Sequence, residues 1–515
     1  MKIRVSIFIF FLFKLSLLGE VVLKSNLYGP DNLDPMKSWD VSSLNYTYNI
    51  YDTLLKYDEK SFKLLPSLAV KWDIRKNGRE YILSLRKGVK FHDGTKFNAD
   101  SVVFNFKRGL KRIGNRYKYP VFYELFQQVK DVRKISEYKV LFELKEPFSP
   151  FLYTLTSIIG SIISPTAIKK YGDKIGKHPV GTGPFMFKEW IKGKRIVLIK
   201  NKSYWKGQPS VDTFVSIFPE NFGDSLFDPL FLINHGKIDF SRRYSISKMV
   251  SLKRIKWIKI KKIPIWGINF LNFNLKKKIF KNVYFRRALN YLWNKRYLRY
   301  IYQEYVIPVD SLLPQNVPGY NAKSIVKYDY SIDKAKEMLR KAKIKGNITL
   351  KYVTADFPSS LFDDIIIRYK LTLKKVGIDL RIVRFSYKDY LKQMRKGDYD
   401  IILSGFIADY PEVYSYLSPL FSETAEKFGI SSFSSYENIK IIKKLIKEAS
   451  LEFSLKKREK IYEKINEIAT SDAICIPTMQ MLELIIHRNN IVNLSEDAIG
   501  AISLYNVKVI DEDKN

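Results

Sequence analysis

Histidine and carboxylate side chains do most of the proton chemistry available near neutral pH, and this chain uses histidine sparingly. Its four histidines, His92, His178, His235 and His487, lie far apart and form no His-x-x-x-His pair, the helical spacing of a zinc site. A Gly-x-Ser-x-Gly elbow, which would present a nucleophilic serine, is missing. Gly181-Thr182-Gly183 sets two glycines close together, but no Gly-Lys-Ser/Thr follows, so a phosphate cradle is not indicated. His92 stands beside Asp93-Gly94. Asp-Gly is a turn dipeptide, so the histidine reads as a structural neighbour of a turn. No catalytic set, resident metal or cofactor is expected. Asp409 is different: it lies just past the nearly all-apolar run Tyr399 to Ile407. A carboxylate enclosed there holds a cation strongly, because the pair is little screened and its hydrogen bonds are charge-assisted. Standing before Tyr410-Pro411, the same residue also reads as a turn former.

The elements that must position these residues follow from periodicity. Tyr81, Leu83 and Leu85 alternate with Ile82, Ser84 and Arg86 at strand period. Asn98 is placed to cap a helix with Asp100 in its first turn, and Val103, Phe106 and Leu110 share one helical face. Tyr46 to Leu55 reads as a helix, and Pro165 to Tyr171 as a short one. Strand character returns within 122–146 and at Ile265 to Asn274; Ser331 is placed to cap a helix. Between 347 and 407 the order is strand, helix, strand, helix, strand, with helices at Ser359–Val376 and Ser386–Lys396. Such a unit builds a mostly parallel sheet covered on both faces. Ligands of such sheets sit beyond the carboxyl ends of the strands, which is where Asp409 falls. Two charged amphipathic helices fill 437–470.

The chain has 515 residues, 46% of them hydrophobic, enough for two or three domains and too many for disorder. Lys and Arg exceed Asp and Glu by 89 to 52, a net charge of +37. The excess is spread along the whole length with no nucleic-acid-binding motif, so solvated surface explains it and no nucleic-acid partner is expected. Met1-Lys2-Ile3-Arg4 followed by the apolar run Val5 to Leu18 has the form of a secretory signal peptide over residues 1–19. No cysteine stands near Gly19 for lipid attachment, and the single cysteine, Cys475, has no internal disulfide partner. A soluble periplasmic protein is expected, monomeric, with Cys475 as a buried apolar residue.

Several stretches together resemble the family 5 extracellular solute-binding proteins, the peptide, nickel and related receptors of ABC importers. They are Trp72, Leu85-Arg86, Gly88-Val-Lys-Phe-His-Asp-Gly94 and Ala99-Asp100; Pro179-Val-Gly-Thr-Gly-Pro-Phe185 with Tyr204-Trp205; and Phe285-Arg-Arg-Ala-Leu289. Asn294 departs from the Asp usual in the family. The resemblance implies an α/β, periplasmic-binding-protein-like (Venus-flytrap) fold: two lobes around a cleft, with an extra domain. It implies domain I from 20–48, 178–262 and 475–515, domain II from 49–177, and domain III from 263–474. It implies no enzyme activity, and a small peptide ligand delivered to an inner-membrane ABC permease. In peptide-binding members an Asp at the place of Asp409 holds the ligand's α-ammonium. Gly405, Phe406 and Ile407 match the segment that pairs with the peptide main chain, with Phe406 lining a side-chain pocket. Asn32, Leu33 and Asp34, in the Leu-Asp-Pro loop, would form the opposite edge. Leu403 stands where oligopeptide-type members carry a carboxylate-binding Arg, which leaves ligand length open. Nickel chelate, haem, glutathione and oligosaccharide remain alternative ligands, and a basic surface adhesin an alternative class.

Overall fold

The computed structural model describes residues 20–38, 40–113, 126–218, 228–242, 249, 252–356, 363–497 and 499–510. The signal-peptide reading of 1–19, the strand expected at 122–125 and the first turn of the helix expected from Ser359 lie outside them. Strand β1 (Val22–Ser25) leads to the helix Val41–Ile50. This helix starts and stops earlier than its aromatic pattern suggests. Asp40 caps it, accepting the Ser43 N–H at 2.8 Å. Its end is set from outside: the carbonyl of Ile50 takes the N–H of Gly183 at 2.9 Å, and Tyr51 turns extended.

The hairpin β2 (Leu55–Tyr57) and β3 (Leu64–Pro66) follows. Then β4 (Ala69–Arg75), β5 (Glu80–Leu85), β6 (Val129–Ser136) and β7 (Lys139–Leu144) form a four-stranded antiparallel sheet in the order β4-β5-β7-β6. Tyr81, Leu83 and Leu85 point inward as the two-residue period demands. The helix Ala99–Ile113, capped by Asn98 through the Ser101 N–H at 3.2 Å, lays Phe106 edge-on to Phe142 at 4.7 Å.

The remaining large strands are β8 (Phe185–Ile191), β9 (Arg195–Lys200), β10 (Thr213–Ile217), β11 (Phe240–Ser241), β12 (Ile258–Phe273), β13 (Ile307–Pro308), β14 (Ile348–Ala355), β15 (Ile378–Phe385), β16 (Ile401–Ile407) and β17 (Cys475–Arg488). With β1 they make one eleven-stranded sheet, β15-β14-β16-β12-β17-β11-β1-β10-β9-β8, with β13 on β17. β14, β15 and β16 run parallel, as the strand–helix alternation requires. The long antiparallel pair β12 and β17 is the shared spine: one lobe builds on each side of it. Pro264 pairs with Leu482 while Ile268 pairs with Gln480, so Ile265, Trp266 and Gly267 stand against Met481 alone. A bulge of this kind bends a sheet, and it lies where the spine passes from one lobe to the other. Buried apolar residues of 49–177 and 263–474 form one continuous core, including Tyr81, Phe151, Trp266 and Tyr462. Cys475 is buried. Among the described residues no helix is long and apolar enough to cross a membrane.

Three separated motifs meet at one node. Asp52, 1% exposed, accepts from Thr182 Oγ1 at 3.0 Å, Tyr204 OH at 2.8 Å and Trp205 Nε1 at 2.8 Å. His92 is held by both glycines. Gly181 N–H donates to Nδ1 at 3.3 Å, so Nε2 carries the hydrogen and donates to Gly183 O at 2.9 Å. The imidazole is therefore neutral, and burial holds its pKa below the ordinary histidine value. Asp93 forms the expected turn, accepting from Thr95 N–H at 3.0 Å, with Gly94 at φ 80°.

Two expectations follow. A Cβ at Gly183 would lie 2.6 Å from the Ile50 carbonyl carbon and 2.7 Å from Asn49 O, both main chain. Gly183→Ala should therefore cost about 1–3 kcal/mol, read as a lower thermal midpoint. The unfolded chain binds a proton on His92 at its ordinary pKa of about 6.5 and the folded chain binds it less readily. This contribution to stability is full above about pH 6.5 and is lost as the pH falls below it. Thermal midpoints taken from neutral to pH 5 should fall more steeply in the parent than in His92→Gln.

Candidate functional site

The parallel unit places β14 at its centre, with β15 on one side and β16 on the other. The chain thus reverses direction across the sheet between β15 and β16, a topological switch point, and ligands of such sheets collect beyond the strand ends there. β14 pairs with β16 only at Ile401 and Ile402. From Leu403 onward the outer edge of β16 has no neighbouring strand among the described residues.

Which main-chain groups face that edge follows from the ladder. In antiparallel pairing, successive residues direct their N–H and C=O groups to alternate sides. Ala408 N–H donates to Trp266 O at 2.8 Å, and Asp400 O accepts from Asn274 N–H at 2.9 Å, so even-numbered residues face β12. Leu403, Gly405 and Ile407 face outward. The Leu403 carbonyl is occupied by the Tyr390 hydroxyl at 3.3 Å. Gly405 and Ile407 present the next outward pairs, both half-buried. A Cβ at Gly405 would come within 2.4 Å of Met481 Cε and Asn269 Oδ1, so glycine here lets those side chains cover the strand. Phe406 is half-buried, its ring 5.8 Å from Tyr416 and packed partly on the core.

Asp409 follows at the open end of β16, half-buried. From the other lobe, Tyr48 on the helix Val41–Ile50 lies within electrostatic reach of it. Burial chiefly, then the charges of Asp497 and Asp409, raise the Tyr48 phenol well above its ordinary pKa. Two carboxylates from different lobes therefore act on one buried hydroxyl. Asp497 has its own pKa pushed up to about 7, mainly by burial, although its Oδ1 accepts from Ile499 and Ala501 N–H. Behind it the buried Glu496 ion-pairs with Arg242, which also donates to Glu483 and Asn45.

The loop carrying Asp409 is pinned from below. Glu412 is 4% exposed, accepts from Tyr462 OH at 2.7 Å and Tyr414 N–H at 2.6 Å, and ion-pairs with the equally buried Arg458 at 3.3 Å. Above it, Trp266 receives Phe62 from the β2–β3 hairpin with ring centroids 4.7 Å apart.

The Asn32–Asp34 loop is placed differently from an open strand edge. Leu33 is fully buried in the first lobe's core, and its carbonyl takes the Tyr51 hydroxyl at 3.0 Å. Asp34 is fully buried, ion-paired with Arg108 on the helix Ala99–Ile113, and accepts Met36 N–H at 3.1 Å. Asn32 Oδ1 accepts Asp34 N–H at 2.9 Å. The structure thus brings Gly405, Phe406, Ile407 and Asp409 together on one edge and uses Leu33 and Asp34 as interior braces. Sequence reading passed over Tyr48 and Asp497. Tyr48 sits in a helix with a buried face, and Asp497 in an ordinary Asp-x-x-Gly turn; neither has a local pattern that marks a cleft. The Asp34–Arg108 pair joins residues 74 positions apart, which no local pattern could register.

The profile of the bacterial extracellular solute-binding proteins, family 5 (middle region), matches residues 63–428. The chain is 29% identical over 428 residues to the dipeptide-binding protein of Escherichia coli K12, covering 78% of each. It is 27% identical over 459 residues to heme-binding protein A of Haemophilus influenzae, covering 83% of this chain and 81% of that protein. It is also similar to a solved structure, the ABC transporter-associated periplasmic binding protein DppA from Helicobacter pylori in complex with the peptide STSA. That comparison has a TM-score of 0.79 and 27% identity, over 96% of this chain and 98% of the other.

Removing one member of a buried ion pair strands the other charge. Arg458→Met is expected to cost about 3–5 kcal/mol, read from chemical denaturation, because Glu412 then stays buried without its cation.

Proposed function

The chain belongs to the bacterial extracellular solute-binding proteins of family 5, a family of receptors and not of enzymes, and from that premise we propose that it binds short peptides in the cleft between its lobes. The observation that carries the reading is the free outer edge of β16 running into Asp409. A short extended peptide adds to that edge as a further strand, with main-chain hydrogen bonds to Gly405 and Ile407. Main-chain pairing gives affinity with little side-chain choice. Asp409 takes the α-ammonium, where enclosure by the second lobe keeps the charge-assisted bond out of bulk water. Phe406 lies beside the first ligand side chain. The dipeptide-binding and peptide-complexed relatives support this reading.

Around that site the molecule divides into domain I (20–48, 178–262 and 475–515), domain II (49–177) and domain III (263–474). Asn32, Leu33 and Asp34 serve the site from domain I by bracing its wall through Arg108 of domain II. Members of this family act outside the cytoplasm. Residues 1–19 direct export, the mature protein is a periplasmic monomer, and it hands its ligand to an inner-membrane ABC permease. Closure over the ligand is a hinge motion about the β12–β17 bulge.

The test is calorimetry of the protein lacking residues 1–19 against di- and tripeptides and their N-acetylated forms. Acetylation and Asp409→Asn should each weaken binding on the order of tenfold to a hundredfold, the worth of a hydrogen bond to a charged group. Affinity unchanged by both overturns the amine anchor. Haem, a nickel chelate, glutathione or an oligosaccharide found by native mass spectrometry of the purified protein, in place of a peptide, overturns the ligand class.

A further inference from the structure

The helix Ile439–Leu451 of the second lobe ends directly against the first. The last carbonyls of a helix have no partner within it and must find one elsewhere. Two of them find Ser149, a buried residue of domain II: its N–H donates to Ser450 O at 2.8 Å and its Oγ to Ala449 O at 3.2 Å. The same helix end makes further contacts across the seam. Lys447 Nζ lies 2.6 Å from Glu146. Phe148 meets Tyr414 edge-on, with ring centroids 5.2 Å apart. Just past the helix, Phe453 lies over Gly78, where an added Cβ would come within 2.0 Å of the ring. Lys76, Asn77 and Gly78 all hold positive φ, at 48°, 52° and 84°. That left-handed conformation costs Lys and Asn energy, and it sets the glycine flat beneath the ring.

None of these contacts lies on the β12–β17 spine, so hinge opening has to part them. They are also wired to the Asp409 loop. Arg458 ion-pairs with Glu412, three residues past Asp409, and its Nη1 donates at 3.0 Å to the carbonyl of Glu452, next to Phe453. Tyr414, which meets Phe148, donates its N–H to the same Glu412.

We propose that this seam is an interlobe clasp: domain II caps the C-terminus of a domain III helix and so favours the closed form whether or not ligand is bound. Opening returns the Ala449 and Ser450 carbonyls to water and exposes Phe148, Tyr414 and Phe453. The clasp therefore sets how long a bound ligand stays, because escape requires these contacts to break first. This consequence rests on the peptide reading above; the clasp itself does not.

The experiment uses Glu146→Lys, Lys447→Glu, the two combined, and Phe453→Ala. Glu146 and Lys447 are 45% and 50% exposed, so these changes leave the fold intact, with thermal midpoints as the control. Two quantities are read: the ligand-free radius of gyration by small-angle X-ray scattering, and the release rate of a fluorescent dipeptide by stopped flow. Each single reversal should expand the ligand-free protein and speed release about threefold, and the exchanged pair should restore both. Phe453→Ala should speed release on the order of tenfold. Unchanged scattering in Phe453→Ala, or no recovery in the exchanged pair, overturns the clasp. If scattering responds while no peptide binds at all, the clasp stands and the peptide reading falls.

Discussion

A carboxylate removed from water has to be fully hydrogen-bonded, and Asp52 meets that demand only because two distant parts of the chain come to it. Thr182, Tyr204 and Trp205 donate to one side chain that is 1% exposed. Arg86 lies over the Trp205 ring at 4.2 Å and brings in the strand before His92. Gly181 and Gly183 complete the closure, because only a residue without Cβ lets this segment approach the end of the Val41–Ile50 helix. The glycines, the aromatic pair and the His-Asp-Gly turn are thus one device for fastening domain II to domain I. None of them is chemical machinery for a ligand.

With that joint made, the hinge motion proposed above falls elsewhere. The proposed domains I and II share the Asp52 node, a buried carboxylate held by neutral donors, and the buried Asp34–Arg108 ion pair, and breaking either leaves a buried charge short of partners. Domain III meets domain I mainly along β12 and β17, whose ladder survives bending at the Trp266 bulge. It meets domain II through one helix end, an exposed ion pair, the buried Phe148–Tyr414 ring contact, the Phe62–Trp266 ring contact and a continuous apolar core. The proposed hinge motion leaves Asp409 on the side of 263–474 and Tyr48 and Asp497 on the other.

Much of the fold was legible in local pattern. The alternation of Tyr81 to Leu85, the Asn98 and Ser331 caps, the helix Pro165–Tyr171 and the parallel unit between Ile348 and Ile407 are all present. These signals are short-range: a period of two or 3.6, or an oxygen three residues ahead of a helix. The helix Val41–Ile50 starts earlier than its aromatic pattern suggests because Asp40 caps it, and stops earlier because Gly183, far along the chain, donates its N–H to the Ile50 carbonyl. The site divides the same way. The position of Asp409 past an apolar strand is a sequence fact, whereas the outward direction of Gly405 and Ile407 depends on which strand lies on each side.

By itself, then, the sequence determined most of the elements, the family and the place of Asp409 just past a strand's carboxyl end. Those properties reside in runs of about ten residues and in motif order. The tertiary structure alone decided that His92 is a neutral brace, that Leu33 and Asp34 face inward, that the charges of Asp409 and Asp497 both act on the Tyr48 phenol, and that Ser149 caps a helix some 300 residues away. The physical reason is that burial and pairing are properties of packed surfaces. A polar side chain does not carry in its own neighbourhood the identity of the group that will satisfy it.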